Sequence, residues 1–64
     1  MVKVKITVNS GRSFEFKGKE TFEKRCNWVE ATWNQFSYYA INQNNKKIYV
    51  STKEIESIEV QDDQ

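Results

Sequence analysis

Between Lys19 and Phe36 the chain reads KETFEKRCNWVEATWNQF, and Phe22, Cys26, Val29, Trp33 and Phe36 recur in it at spacings of four, three, four and three. At about 100° per residue these side chains fall on one narrow stripe, which predicts a single amphipathic helix over residues 19–36. The segments on either side are short and alternate with period two, so they predict strands whose apolar sides cover that stripe. The expected architecture is an α+β domain of order ββαββ(β), an antiparallel sheet packed against one helix. The alternative is an SH3-like small barrel, strongly curled, with the helix plugging one end.

The strand signals are local. Val2, Val4, Ile6 and Val8 alternate with Lys3, Lys5 and Thr7, the pattern of a half-buried strand. Residues 9–13 have turn chemistry, with Gly11 free to take positive φ. Residues 14–17 alternate again and should return antiparallel, until Gly18 breaks the pattern. Gly18 and Thr21 are the two candidates to cap the helix, although Lys24 stands where a capping box wants Glu or Gln. Glu20 and Glu23 suit the positive end of the helix dipole. Asn34, Ser37 and a change of period near Tyr38 mark the helix end. Residues 38–42 predict a third strand with Tyr39 and Ile41 inward, residues 43–46 a hairpin loop, and residues 47–50 a fourth strand with Ile48 and Val50 inward. Ser51–Glu54 has capping-box spacing but room for only one helical turn. Ile55, Ile58 and Val60 predict a short closing strand, followed by a frayed tail at 61–64.

Sixty-four residues make one domain, 1–64. A chain of this size buries only about 60% of its unfolded surface, yet its β-branched and aromatic residues are numerous enough to predict folding without a metal or a disulfide. The one cysteine, Cys26, lies on the apolar stripe and reads as a small buried hydrophobe; a lone cysteine fits a reducing compartment, hence a cytoplasmic location. No apolar run approaches the ~20 residues of a membrane span. The alternation at residues 2–8 is also unlike the continuous apolar core of a signal peptide. Net charge is +1, but residues 1–25 hold seven Lys or Arg against three Glu, while residues 54–64 hold five acids and no base.

The absence of histidine removes the Ser-His-Asp and Cys-His constellations and, with one cysteine, any ordinary zinc site. The two glycines form no phosphate-cradling loop. Glu20, Glu23 and Glu30 read as solvated helix charges, so no enzyme, cofactor or metal is expected. Trp28 stands out: it lies about 120° around the helix from Phe22, outside the stripe, flanked by Arg25, Thr32 and Gln35. A large aromatic beside an arginine and small polar groups is the composition of an interface hot spot; the competing reading folds Trp28 over a sheet edge as core. Tyr38 and Tyr49 should face outward on neighbouring strands and form a second candidate surface. The leading expectation is therefore a protein-binding module using Trp28, Arg25, Thr32, Gln35, Tyr38 and Tyr49. The alternative is nucleic-acid binding through Lys3, Lys5, Arg12, Lys17, Lys46 and Lys47, with a tyrosine stacking on bases. A third reading is self-association through a sheet edge, with Lys3 and Lys5 as gatekeepers against it.

The run KKIYVSTKEIESIEV resembles the ending of many small accessory proteins of bacteriophages and other bacterial mobile elements, with Ile48, Val50, Ile55, Ile58 and Glu59 in the matching places. The resemblance covers about a quarter of the chain and carries over no site residue. It implies a compact protein that binds or inhibits a host protein and is not an enzyme.

Overall fold

The computed structural model describes residues 1–63. The elements are β1 (Val2–Val8), β2 (Ser13–Gly18), α1 (Phe22–Thr32), β3 (Tyr38–Gln43), β4 (Lys46–Ser51) and β5 (Ile55–Asp62), with a 3-10 turn at Thr52–Glu54 before β5. This is the expected α+β order, and every strand pair is antiparallel. The strands do not make one sheet, however. They form a three-stranded sheet in the order β2-β1-β5 and a separate β3-β4 hairpin. Among the described residues no strand of one sheet is paired with a strand of the other, so no closed ring of strands forms.

The most strictly alternating segment becomes the centre. β1 pairs with β2 on one side and β5 on the other, and all four of its apolar residues are buried. They join Ile41 and Val50 from the hairpin in one core, with Phe14, Phe16, Ile48, Ile55, Ile58 and Val60 packed around it. Lys3 and Lys5 therefore lie on the outer face of a central strand and guard no edge.

Turn chemistry sets the hairpins. Gly11 takes φ +93° between β1 and β2. Asn44 and Asn45 both have positive φ (49° and 64°) and close a two-residue turn between Gln43 and Lys46, as a type I′ hairpin requires. On β5, Ile55 and Ile58 are three apart and could not face one side of a regular strand. The register resolves this: Val8 pairs with Ile55 and Thr7 with Ser57, which leaves Glu56 as an extra, bulged residue. The parity change lets both isoleucines reach the core.

The closing strand takes in Gln61 and Asp62 of the expected tail. β5 continues to Asp62, opposite Val2, and the Asp63 N–H donates to the Met1 carbonyl (3.0 Å). Gln64 lies outside the described residues.

The helix is shorter than residues 19–36. Thr21 caps it, its hydroxyl accepting from the Lys24 N–H (3.2 Å), while Gly18 belongs to β2. It ends at Thr32, with Asn34 left-handed (φ 67°) just beyond. Its orientation also differs from the expectation. No helix residue is fully buried, and the partly buried ones are Arg25, Cys26, Val29 and Thr32. At 100° per residue the centre of this face lies about 30° from that of the predicted stripe. Phe22, the first residue of the helix, and Trp33, its C-cap, are exposed, and Phe36 falls beyond the helix and is exposed as well.

Candidate functional site

Six large aromatic residues, Phe22, Trp28, Trp33, Phe36, Tyr38 and Tyr49, each leave between 41% and 62% of their surface open. In a domain this small that is the feature least explained by folding alone. Four of them form two pairs. Trp28 on α1 meets Phe36 from the turn after the helix (ring centroids 6.4 Å apart). Both rings rest on buried Tyr39, at 5.5 and 6.1 Å. On the outer side of the β3-β4 hairpin, Tyr38 meets Tyr49 edge-on at 5.5 Å. The register explains this second contact: Tyr49 sits opposite Ala40, one diagonal step from Tyr38.

Trp28, Phe36 and Tyr38 line one cavity of about 280 Å³ between the helix and the two sheets. Its floor is core, formed by Val4, Ile6, Ile41 and Ile58, and Val29 and Arg25 of the helix line it as well. The helix thus spans the space between the sheets without filling it. A smaller recess, about 130 Å³, lies near the helix C-terminus and is lined by Trp33, Tyr39 and Ile55.

Arg25 is the charged residue of the site. Its guanidinium is ion-paired with Glu20 through Nη2 and lies over two rings, Trp28 at 4.8 Å and Phe16 at 5.7 Å. Its Nε is buried and has no hydrogen-bond partner among the described residues. The guanidinium is thus held by two aromatic rings and a carboxylate.

Thr32 has a structural task. Its hydroxyl lies 2.8 Å from the Trp28 carbonyl, to which it donates, and 3.3 Å from the Tyr39 hydroxyl. A hydroxyl has one proton, so Tyr39 is the donor in the second contact. This ties the last turn of the helix to β3. Gln35 is exposed in the turn after the helix, its N–H bonded to the Thr32 carbonyl (2.9 Å). The turn itself is held from below: the Thr52 hydroxyl reaches the carbonyls of Phe36 (2.9 Å) and Ser37 (3.1 Å). Phe36, which the helical spacing placed on the core stripe, is the ring that joins Trp28 to the opening. Its position depends on the chain leaving the helix at Thr32, for which Asn34 is the one local signal.

Lys3, Lys5 and Lys17 share the outer face of the three-stranded sheet, Lys3 directly opposite Lys17, among acidic neighbours. Lys3 pairs with Glu15 (3.8 Å) and Lys17 with Asp63 (3.3 Å). Lys5 sits between Glu15 and Glu59 in register. Arg12 lies over Phe14 at 5.3 Å, and Lys47 over Tyr49 at 6.0 Å. Lys46 and Lys47 belong to β4, in the other sheet. Among the described residues no helix is long and apolar enough to cross a membrane. Cys26 is half-buried and unbridged. Comparison of the chain with protein-family models, curated proteins and solved structures finds no match.

Proposed function

We propose that this protein acts without catalysis, by binding another protein through the aromatic surface around the cavity mouth. Trp28, Phe36 and Tyr38 would supply the anchor, with Tyr49 and Gln35 at its margin and Arg25 and Thr32 holding Trp28 from behind. The observation that carries this reading is the contiguity of open rings: large side chains that a 64-residue chain would gain by burying are left together at one opening. Aromatic residues that are already partly fixed lose little freedom on binding, which makes them effective contact residues. The ending KKIYVSTKEIESIEV supports a setting in a phage or mobile element, with a bacterial host protein as the target and a cytoplasmic site of action. Nucleic-acid binding draws less support, because Lys3 and Lys17 are ion-paired and Lys5 faces two glutamates.

The test is affinity capture from bacterial lysate with wild type beside Trp28→Ala and Tyr49→Ala. A specific partner held by wild type and lost from both variants, with thermal melts showing all three folded, is the expected result. Partner retention by both folded variants would remove the surface from consideration. In parallel, a gel shift at low salt should show no retardation; strong retardation that disappears as salt rises would favour the phosphate-binding alternative.

A further inference from the structure

Four strands have one edge unpaired among the described residues, and they are not equivalent. β2 and β3 approach each other, where the Gln43 side chain donates to the Glu15 carbonyl (3.1 Å). β5 is bulged at Glu56 and has α1 against it. β4 is regular, its register with β3 unbroken from Lys46 to Ser51. The open side of β4 also shows on its inner face. Ile41 and Ile48 are opposite one another in the hairpin, yet Ile41 is 2% exposed and Ile48 stays half-buried. Ile41 lies on a strand with a neighbour on both flanks, whereas Ile48 has β3 on one flank only.

Charge gives this edge a preference. From Ala31 to Lys53 the chain holds three lysines and no acid. Lys3 and Lys17 are ion-paired, but among the described residues no ion pair reaches Lys46 or Lys47. The recess these two line is otherwise made of Asn42, Gln43, Asn44 and Asn45. On the outer face Lys47 stands over exposed Tyr49, with uncharged Asn42 and Ala40 opposite them. A regular edge with uncompensated positive charge accepts an acidic strand and repels a basic one.

From these observations we infer that the free edge of β4 takes an extended, acidic segment of the protein partner as a third strand of the hairpin. Its carboxylates lie on the outer face beside Lys47, and an apolar residue on its inner face covers Ile48. This rests on the protein-binding reading above and assigns the partner segment its conformation and charge. In such an addition the main-chain hydrogen bonds supply affinity and the alternate side chains supply selectivity. A second copy of this chain suits the edge poorly: its β4 brings lysines against lysines, and the bulge at Glu56 interrupts the edge of its β5.

Three blocked peptides test the inference without the partner. Acetyl-EVEVEVE-amide alternates acid with apolar residues, acetyl-KVKVKVK-amide reverses the charge, and acetyl-EPEPEPE-amide keeps the charge but cannot form a strand ladder. Each is titrated into wild-type protein and followed by NMR. The first should move the backbone amides of residues 46–51 and the Ile48 methyls, and slow the exchange of amides on β4. It should bind about tenfold more tightly than either of the others. The double variant Lys46→Glu/Lys47→Glu, altered at two exposed positions, should prefer the basic peptide and lose the captured partner. Should that variant fail to fold, the order of the three peptides on wild type decides alone. Equal binding of the acidic and basic peptides, equal binding of the proline peptide, or shifts away from β4 would overturn the inference. So would tighter binding of oligothymidylate than of the acidic peptide, which would assign the lysines to phosphates. If no peptide binds β4 while Trp28→Ala and Tyr49→Ala still lose the captured partner, the strand inference fails and the surface reading survives. If both variants keep the partner, it is the surface reading that fails, and the peptides still decide the edge.

Discussion

At the scale of single residues, burial separates side chains that hydropathy treats alike. Ile41 is buried in the core, whereas Phe22 is 42% exposed despite its place at the head of the apolar stripe. Ile41→Ala should cost about 2–5 kcal/mol, the range for emptying a packed aliphatic site. Phe22→Ala should stay within about 1 kcal/mol, close to an ordinary surface change. Urea denaturation of the two variants checks the pair together, and a larger loss from Phe22→Ala would place the helix in its predicted rotation after all. Much at this scale was readable beforehand. Alternation alone placed Val2, Val4, Ile6 and Val8 inward, and tolerance of the left-handed conformation placed the Asn44-Asn45 turn. Arg25 was assigned to a binding face but not to the space between Phe16, Trp28 and Glu20, because nothing in its neighbours' spacing brings Phe16 near it.

At the scale of elements, the helix differs most from what periodicity implies. A stripe read from spacing assumes that every large residue on it reaches the core. Here the chain leaves the helix at Thr32, and the face that meets the sheets is the one carrying Arg25, Cys26, Val29 and Thr32. With the Thr32 and Tyr39 hydroxyls joined across the interface, that face is partly polar, and no windowed count of apolar residues would select it. The closing strand was also legible only in outline: Ile55 and Ile58 marked it, but their odd spacing needed the bulge at Glu56, a feature of pairing that composition does not show. An element with no fully buried side chain should open more readily than one sealed on both sides. Backbone amides of α1 should therefore exchange with solvent well before those of β1, as measured by NMR hydrogen exchange. Equal protection of both would indicate a helix far better packed than its surroundings imply.

At the scale of the whole molecule, the division into two sheets leaves β2, β3, β4 and β5 each paired on one side only among the described residues. Open edges invite self-pairing unless charge or irregularity discourages it. The Gln43 side-chain amide donates to the Glu15 carbonyl (3.1 Å) where β3 approaches β2, which leaves that discouragement to other features. β5 carries the bulged Glu56 and Glu59, and β4 carries Lys46 and Lys47, so like would meet like if either edge paired with itself. Light scattering across a concentration series should accordingly give the monomer mass throughout; a mass that climbs with concentration would reveal edge pairing. The antiparallel α+β plan was legible because it follows from element order, whereas the split into two sheets shows only in the strand pairing.

The central position of β1 has a consequence in time. One of its flanks is completed by a hairpin partner a few residues away, but the other waits for residues 55–62, about fifty positions later. During synthesis on the ribosome the first strand therefore emerges long before the partner that shields its second side. Its row of valines and isoleucine must pass that interval open to chaperones, to neighbouring nascent chains and to proteases, and the protein settles only once its last strand has cleared the exit tunnel.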